Sequence, residues 1–192
     1  MSEPRKRSIA GQTLVYFGDG KGKTTSAFGV ALRAVGRGWK VLMIQLTKMG
    51  EWPKGEPMGE ISGALRLAPE FEVISTGIGF VNIFGDPYTF EQHRDAAQKG
   101  LELYRERAAS GEYDLIILDE AIGAVSQGQW DLSQLLDVIQ SKPRALNLLL
   151  TGHDDKKEFI DQVIAVVDLA TEMRKVKHPF DEGRQARKGL DY

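Results

Sequence analysis

The sequence contains no cysteine, which excludes disulfide bonds, thiolate metal sites, cysteine-ligated iron–sulfur clusters and cysteine nucleophiles. It also has no apolar run of the roughly 18 residues that a membrane-spanning helix needs. Residues 1–7 are largely charged and do not form the apolar segment of a signal peptide, so we expect a cytoplasmic protein without a membrane partner. Any redox step must therefore depend on a molecule from outside the chain.

The chain has no strong excess of either charge. Its 25 Lys and Arg residues are opposed by 27 Asp and Glu residues, and the formal net charge of −2 gives no general attraction to nucleic acid. A local exception lies near the C-terminus, where residues 174–188 carry the cations Arg174, Lys175, Lys177, Arg184, Arg187 and Lys188. Two interpretations stay open for this tail: a solvated surface, or a contact for an anionic ligand.

The length of 192 residues is that of one domain, and we expect a flexible arm over residues 1–12 followed by a single α/β domain over 13–192. Short β-branched runs alternate with amphipathic stretches, a pattern typical of a mostly parallel sheet with helices on both faces. The runs 115–118 and 146–150 are continuously apolar, as strands covered on both faces are. We expect five or six strands, with the functional site at their carboxyl ends.

The alternation also places the individual elements. Strands are predicted over residues 13–17, 41–46, 71–75, 115–118, 145–150 and 166–169. Helices are predicted over residues 23–35, 89–109, 132–139 and 155–164, with Gly36 and Gly38 ending the first and Thr89 capping the second. Residues 47–69 contain several Gly and Pro residues and are predicted to form a loop with some local helix.

A phosphate-binding loop is indicated between the first strand and the first helix. The standard pattern is G-x-x-x-x-G-K-[ST], whose backbone N–H groups surround the phosphates while its lysine neutralises them and its hydroxyl binds Mg²⁺. Gly22, Lys23 and Thr24 match the end of this pattern, but Phe17 stands at the first glycine position and the glycine follows one residue later. The predicted phosphate ligands are Gly18, Asp19, Gly20, Lys21, Gly22, Lys23, Thr24 and Thr25. The alternative, a solvated glycine-rich turn, does not explain why the motif opens a helix, whose N-terminus favours anions.

A metal site is indicated where the fourth strand ends. Asp119 and Glu120 follow the apolar run 115–118 in the form of a Walker B motif, in which a carboxylate at a strand end holds Mg²⁺ directly or through water. Strands that run out to solvent also end in acids, so the motif gains its weight from the phosphate loop upstream. Thr24 with Asp119 or Glu120 is the predicted metal set. The ligand expected in the phosphate loop is ATP. Lys21 adds a second cation two residues before Lys23, which indicates that the triphosphate of ATP is bound as a highly charged unit.

Further motifs extend over nearly the whole chain. They are Ala31-Leu32-Arg33-Ala34, Gly36 and Gly38, Gln45 and Lys48, Gly79-Phe80, Leu118-Asp119-Glu120, Thr151-Gly152, Thr171-Glu172-Met173, and Lys177-His178-Pro179-Phe180 with Gly183 and Ala186. Together with the phosphate loop they resemble the ATP:corrinoid adenosyltransferases of the CobA/BtuR (CobO) type. The tail motif is the most specific part, because generic P-loop enzymes have no reason to carry it.

The resemblance implies a RecA-like P-loop fold and an enzyme that transfers the 5′-deoxyadenosyl group of ATP to the Co(I) centre of a reduced corrinoid, with release of triphosphate. The corrinoid would be cobalamin, cobinamide or cobyrinate a,c-diamide, and the bound metal Mg²⁺ or Mn²⁺. With no cysteine and no flavin motif in the chain, we expect an external electron donor such as a reduced flavin or flavodoxin. The resemblance also implies a homodimer.

The same resemblance assigns roles to individual residues. It places Lys23, Glu120 and Phe80 among the catalytic residues and implies that Arg33 and Glu120 contact the nucleotide. Phe80 lies in a segment thought to face the corrinoid and to help displace its lower axial ligand. Structural alternatives stay open, with Arg33 as a surface salt-bridge residue and Phe80 as part of the core.

Four positions bear on how the corrinoid would be bound. Family members commonly carry Thr-Trp where this chain has Val81 and Asn82, and Arg where it has His153, so the corrinoid contacts depart from the usual pattern. For His178 we favour a hydrogen-bonding or structural role in its turn over a cobalt ligand, because a nitrogen ligand would raise the coordination number that the reaction needs lowered.

Two other functions compete with adenosyl transfer. The first is a P-loop ATPase or nucleotide-dependent switch that acts on a protein partner through the basic tail. The second is a RecA-like motor on nucleic acid, which the acidic net charge and the lack of a basic strip with interleaved aromatic residues argue against. The products separate these possibilities, because only the transferase releases triphosphate.

Overall fold

The computed structural model describes residues 9–50, 55–79, 81, 85–154 and 159–191. Its central sheet has six strands: β1 (Thr13–Phe17), β2 (Val41–Gln45), β3 (Phe71–Ser75), β4 (Leu115–Asp119), β5 (Asn147–Gly152) and β6 (Leu169–Glu172). Their order across the sheet is β3-β2-β4-β5-β1-β6, and every pairing is parallel. The sheet therefore presents the carboxyl ends of all described strands at one edge.

The helices are α1 (Lys23–Val35), α2 (Gly59–Ala64), α3 (Phe90–Ser110), α4 (Ala121–Ser126), α5 (Leu132–Ser141) and α6 (Ile160–Ile164), with 3₁₀ turns at Leu65–Leu67 and Pro179–Glu182. The cap of α3 follows from its sequence. Thr89 Oγ1 accepts a hydrogen bond from the Gln92 N–H at 3.3 Å, and the Gln92 side chain accepts one from the Thr89 N–H at 2.8 Å. This reciprocal pair satisfies two N–H groups that the helix itself leaves unpaired. Among the described helices, none is both long and apolar enough to cross a membrane.

The two faces of the sheet pack into separate cores. Successive strand residues point to opposite faces, so Leu42 and Ile44 pack against α3 and Trp130, while Val41 and Met43 pack against the buried alanines of α1. All five residues of β2 and of β4 are buried. These central strands are continuously apolar because helices cover them on both sides.

The predicted architecture is confirmed: an α/β fold with a parallel sheet of six strands and helices on both faces. The bounds predicted for β1, β3 and α1 match the structure, and Thr89 is the N-cap of α3. The stretch predicted as a loop with local helix contains α2 and a 3₁₀ turn. Helix α4 was not predicted.

Two predicted strands begin too early, and the predicted start of the last helix lies outside the described residues. The last strand begins at Leu169 and not at residue 166, because β6 is an edge strand whose four residues are all exposed, so no apolar pattern marks it. Strand β5 is shifted toward its carboxyl end, since the Leu146 N–H already bonds to the Pro143 carbonyl in a turn at 2.9 Å. Helix α6 begins at Ile160, and residues 155–158 of its predicted span lie outside the described residues.

Candidate nucleotide site

The loop between β1 and α1 lies against the end of β6. The Gly20 N–H donates to the Met173 carbonyl at 2.7 Å, and the Met173 N–H donates to the Phe17 carbonyl at 2.8 Å. A Cβ at Gly18 would come within 2.4 Å of the Met173 carbonyl oxygen. The backbone φ of 108° at Gly18 is one that residues other than glycine rarely adopt. The glycine one position late in the motif is thus the residue that lets the loop approach β6.

Lys23 is the first residue of α1, and its side chain crosses back over the loop. Its Nζ donates to the carbonyls of Gly18 at 2.7 Å and Gly20 at 2.8 Å. Burial lowers the pKa of Lys23 below its ordinary value, against the opposing charges of Glu120 and Asp19. This places a partly desolvated ammonium at the centre of the loop, where a phosphate would be its natural counterion.

Asp119 at the end of β4 is fully buried and accepts hydrogen bonds from four side chains. Oδ1 accepts from the hydroxyls of Thr24 at 2.9 Å and Thr151 at 2.7 Å. Oδ2 lies 3.0 Å from Lys48 Nζ and 3.4 Å from Gln45 Nε2. Since a buried carboxylate is costly unless it is paired and hydrogen-bonded, these donors explain how the charge is tolerated.

The next residue, Glu120, has a left-handed backbone with φ of 66°, and it is the one non-glycine residue with positive φ in the described chain. Its N–H donates to Thr151 Oγ1 at 2.9 Å, and its side chain lines the cleft above the loop. Such a conformation is disfavoured and is often retained at functional sites. Here it turns the carboxylate of Glu120 toward the cleft while Asp119 stays buried.

Lys48 is a residue of the site to which sequence analysis assigns no role, although the family motifs include it. Its side chain is 15% exposed, and its Nζ donates to Thr24 Oγ1 at 2.8 Å in addition to its ion pair with Asp119. Burial alone would lower the pKa of Lys48, but the charge and hydrogen bond of Asp119 and the charges of Glu120 and Glu60 outweigh burial and raise the pKa. The sequence signal was its place just past a predicted strand, because the carboxyl ends of parallel strands share one edge of the sheet.

A cleft of about 1340 Å³ opens over the loop. Its lining includes three cations, Lys21, Lys23 and Lys48, and the apolar side chains Phe28, Met49, Met58, Ile78 and Tyr88. Known small-molecule sites are mostly apolar with a few convergent polar groups and have about 300–1,000 Å³ of volume. This cleft is larger, which suits more than one bound molecule.

The C-terminal tail, residues 173–191, folds across the mouth of this cleft. Asp191 forms an ion pair with Lys21, Lys188 forms one with Glu56, and the Lys175 N–H donates to Asp19 Oδ1 at 2.9 Å. That hydrogen bond is the main reason why the pKa of Asp19 lies below its ordinary value. The tail thus contacts the phosphate loop directly.

Several of the cations in the basic tail form ion pairs with carboxylates of the tail itself. Lys175 pairs with Asp181 at 3.0 Å, and both Lys177 and Arg184 pair with Glu182, at 2.9 and 3.0 Å. The predicted hydrogen-bonding role of His178 is confirmed, because its Nδ1 accepts from the Phe180 N–H at 3.1 Å at the start of the 3₁₀ turn.

The structure brings together most of the predicted site. The residues that line the cleft include Lys21, Gly22, Lys23, Thr24, Thr25 and Glu120. Asp119 does not line the cleft but accepts a hydrogen bond from the hydroxyl of Thr24. Arg33 is exposed in the last turn of α1 and is not among the described residues that line the cleft, so its nucleotide contact stays a prediction. Phe80 and Asn82 lie outside the described residues.

The oxygens around Thr24 fit a nucleotide-bound Mg²⁺. No cage of three or more His, Asp and Glu side chains occurs among residues 9–50, 55–79, 81, 85–154 and 159–191. Mg²⁺ in nucleotide sites uses only one or two protein ligands, with phosphates and waters completing its shell. The hydroxyl of Thr24 and the carboxylate of Asp119 supply hard oxygen ligands of that kind.

Comparison with known proteins agrees with this geometry. Residues 10–192 match the family model described as ATP:corrinoid adenosyltransferase BtuR/CobO/CobP. The chain is 33% identical to the corrinoid adenosyltransferase of Escherichia coli K12 and to corrinoid adenosyltransferase CobA of Salmonella typhimurium, in each case over 95% of this chain and 86% of the relative. It is 32% identical to the corrinoid adenosyltransferase of Pseudomonas aeruginosa, over 97% of this chain and 86% of that protein.

Among solved structures, the flagellar accessory protein FlaH from Methanocaldococcus jannaschii aligns with a TM-score of 0.55, covering 85% of this chain and 71% of its own. At 11% identity this likeness shows the fold alone, an α/β arrangement around a parallel sheet. The match to the family model and the three adenosyltransferase relatives cover nearly the full length of the chain. The chain therefore belongs to the CobA/CobO/BtuR family of ATP:corrinoid adenosyltransferases.

Proposed function

We propose that this chain transfers the 5′-deoxyadenosyl group of ATP to the Co(I) centre of a reduced corrinoid and releases triphosphate. The carrying observation is a cleft of about 1340 Å³ that holds three lysines over a phosphate loop and also presents apolar side chains to a second molecule. Family membership identifies the reaction, and the residues that line the cleft support our account of how this chain carries it out.

In this reaction, the pair of electrons on Co(I) forms a bond to the C5′ carbon of ATP. The bond from C5′ to the α-phosphate oxygen breaks, and its electrons leave with the triphosphate. The metal centre of the corrinoid is the nucleophile, so the protein does not have to activate a serine or cysteine. Its task is to hold ATP with C5′ exposed and to stabilise the charge that accumulates on the leaving group.

The residues of the loop suit that task. The backbone N–H groups at the start of α1 favour anions, and Lys23 and Lys21 add two ammonium groups on the same cleft. To bind a phosphate, Lys23 exchanges the carbonyls of Gly18 and Gly20 for phosphate oxygens. Interactions with the leaving triphosphate strengthen as its charge develops, which lowers the barrier of the transfer step.

Thr24 and Asp119 are the residues that would hold Mg²⁺, with Glu120 next to them in the cleft. Bound there, the metal would neutralise part of the triphosphate charge. Mn²⁺ prefers the same oxygen ligands and would serve as a substitute. We assign catalytic roles to Lys23 and Glu120, and we retain Phe80 as a proposed corrinoid contact and Arg33 as a proposed nucleotide contact.

The reductant and the assembly belong to the same proposal. The chain has no cysteine to carry electrons, so an external donor such as a reduced flavin or flavodoxin supplies them in the cytoplasm. Product from Co(II) corrinoid and ATP should appear only after such a donor is added. A homodimer is expected, and light scattering should give twice the chain mass of 21.3 kDa.

The direct test incubates the protein with ATP, Mg²⁺ and chemically reduced cobalamin. We expect triphosphate and a light-sensitive cobalt–carbon product in equal amounts, and the rate with cobinamide and cobyrinate a,c-diamide identifies the preferred corrinoid. Lys23→Ala should abolish the product, whereas Lys99→Ala, an exposed lysine of α3, should not change it. Release of ADP and phosphate alone would refute the transferase and favour the P-loop ATPase or switch that acts on a protein partner.

A further inference from the structure

One side chain already holds a positive charge at the proposed metal position. Lys48 Nζ lies 2.8 Å from Thr24 Oγ1 and 3.0 Å from Asp119 Oδ2. These are the hydroxyl and the carboxylate to which the P-loop and Walker B patterns assign Mg²⁺. A single ammonium therefore contacts both oxygen-bearing groups that would bind the metal.

The charges around Lys48 explain why it stays there. The Lys48 side chain is 15% exposed and Asp119 is fully buried, so the pair is largely shielded from water. Glu120 and Glu60 add negative charge around the ammonium, while Lys23 is the cation that opposes it from the phosphate loop. Without Lys48, Asp119 would keep only neutral donors, namely Thr24, Thr151 and Gln45.

Lys48 and a divalent cation exclude each other from this position. Mg²⁺ binds oxygen at about 2.0–2.1 Å, so a metal on Thr24 and Asp119 would lie within a few ångströms of Nζ. Two cations that close repel strongly in a site with little water. A flexible lysine side chain can move, and Lys48 lines the same cleft as Lys21 and Lys23, where the triphosphate would bring new negative charge.

We propose that Lys48 is a positioning residue that occupies the metal's place in the nucleotide-free protein and shifts its ammonium from Asp119 to the triphosphate when metal and ATP bind. This inference rests on the proposed function, which supplies the triphosphate. It implies an order of binding: free metal is excluded until ATP offers Lys48 an alternative partner. The buried carboxylate is thus neutralised at every stage.

The test is a titration of nucleotide-free protein with Mn²⁺ alone. Electron paramagnetic resonance measures the concentration of free Mn²⁺ at each step. We expect weak binding to the wild type and at least about tenfold tighter binding to Lys48→Met, because the competing ammonium is gone. A lysine with a merely structural role would not produce tighter metal binding when removed. Lys48→Arg, which keeps the charge, should retain the weak affinity of the wild type.

The matched control is Lys142→Met. Lys142 also donates two internal hydrogen bonds, to the carbonyls of Gly11 at 2.7 Å and Leu146 at 2.9 Å, but it lies at the opposite ends of the strands. Its loss should leave the affinity for Mn²⁺ unchanged. If Lys48→Met does not fold, Lys48→Gln removes the charge while keeping a hydrogen-bond donor, and the same tightening is expected.

Equal Mn²⁺ affinities of the wild type and the uncharged Lys48 variants would overturn the inference. Repeating the titration with ATP present, and subtracting the Mn²⁺ that ATP alone binds in a protein-free sample, separates this failure from that of the proposed function. Tight Mn²⁺ binding with ATP, combined with no effect of Lys48→Met without it, refutes only the role of Lys48. No Mn²⁺ binding with ATP in any variant refutes the metal site itself and the inference with it.

Discussion

Gly152, at the carboxyl end of β5, is a position where any larger residue would strain the backbone and clash with α4. Its φ is 140°, and an added Cβ would lie 2.6 Å from the Gly123 nitrogen and 2.9 Å from Ile122 Cβ at the start of α4. We expect Gly152→Ala to lower the free energy of unfolding by about 2–4 kcal/mol, through backbone strain and overpacking. Urea denaturation measures this change.

Gly29 provides the control for that substitution. It is an exposed residue in the middle of α1, and an added Cβ would meet no atom within 4 Å. Gly29→Ala should therefore raise the free energy of unfolding by about 0.5–1 kcal/mol, the ordinary gain of alanine over glycine in a helix. A Gly152→Ala protein as stable as the wild type would contradict the close packing of β5 against α4.

Tyr113 makes the stability of the folded protein depend on pH. Burial and the hydrogen bond of its hydroxyl to Glu72, 2.6 Å long, raise the pKa of Tyr113 from 10.0 to about 12. Between these two values the folded protein keeps a proton that the unfolded chain has lost, so the free energy of unfolding must fall as pH rises from 10 toward 12.

Comparison with Tyr113→Phe isolates this effect, because the lysines titrate in both proteins. We expect the wild type to lose stability more steeply than Tyr113→Phe above pH 10, as measured by denaturation at each pH. Parallel curves for the two proteins would show that Tyr113 does not hold its proton in the folded state.

Between elements, the tail and an incoming phosphate compete for Lys21, a cation of the phosphate loop. Asp191 pairs with Lys21, so an incoming phosphate must displace a carboxylate from that lysine. We expect Asp191→Asn to bind inorganic triphosphate about 1.5- to 5-fold more tightly, since exposed ion pairs contribute about 0.2–1 kcal/mol. Isothermal titration calorimetry gives the affinity.

Asp181→Asn is the control for the tail, because it removes an ion pair with Lys175 and Asp181 does not line the cleft. It should leave the triphosphate affinity unchanged. Weaker binding by Asp191→Asn would mean that Asp191 assists the ligand and does not compete with it.

The elements differ in how well the sequence predicts them. Strand β3 and helix α1 were predicted with the bounds they have, because apolar spacing reports which residues are buried. Strand β6 is exposed at all four positions and owes its existence to pairing with β1, which no local pattern records. Helix α4 is six residues long and follows the left-handed Glu120, so it is too short for a periodic signal.

For the whole molecule, ligand binding should increase the free energy of unfolding. A ligand that binds only the folded state, at 100 times its dissociation constant, adds about 2.7 kcal/mol to the free energy of unfolding. For a chain of this size we expect ATP with Mg²⁺ to raise the melting temperature by about 5–10 °C. Scanning calorimetry measures the shift.

The same experiment has an internal control in Lys23→Ala, whose melting temperature should not respond to ATP. An equal shift in that variant would contradict the assignment of Lys23 to the phosphates. A shift with ATP but none with triphosphate would place the main binding energy on the nucleoside instead of the loop.

Sequence analysis finds the candidate site residues that one local motif contains and misses those that the fold brings together from distant parts of the chain. The loop 18–25 and the pair Asp119 and Glu120 can be recognised as short patterns. Lys48 reaches Asp119 because β2 lies beside β4, a neighbour relation that the order of strands along the chain does not reveal. The contact of Asp191 with Lys21 spans nearly the whole chain and has no sequence signal.

The folded tail has a practical consequence for handling this protein. Because Asp191 lies against the phosphate loop, an affinity tag or fluorescent fusion attached directly after residue 192 would begin at the mouth of the nucleotide cleft. Such a label would change the entry of ATP before any experiment began. Labels for purification and for binding assays therefore belong at the other end of the chain.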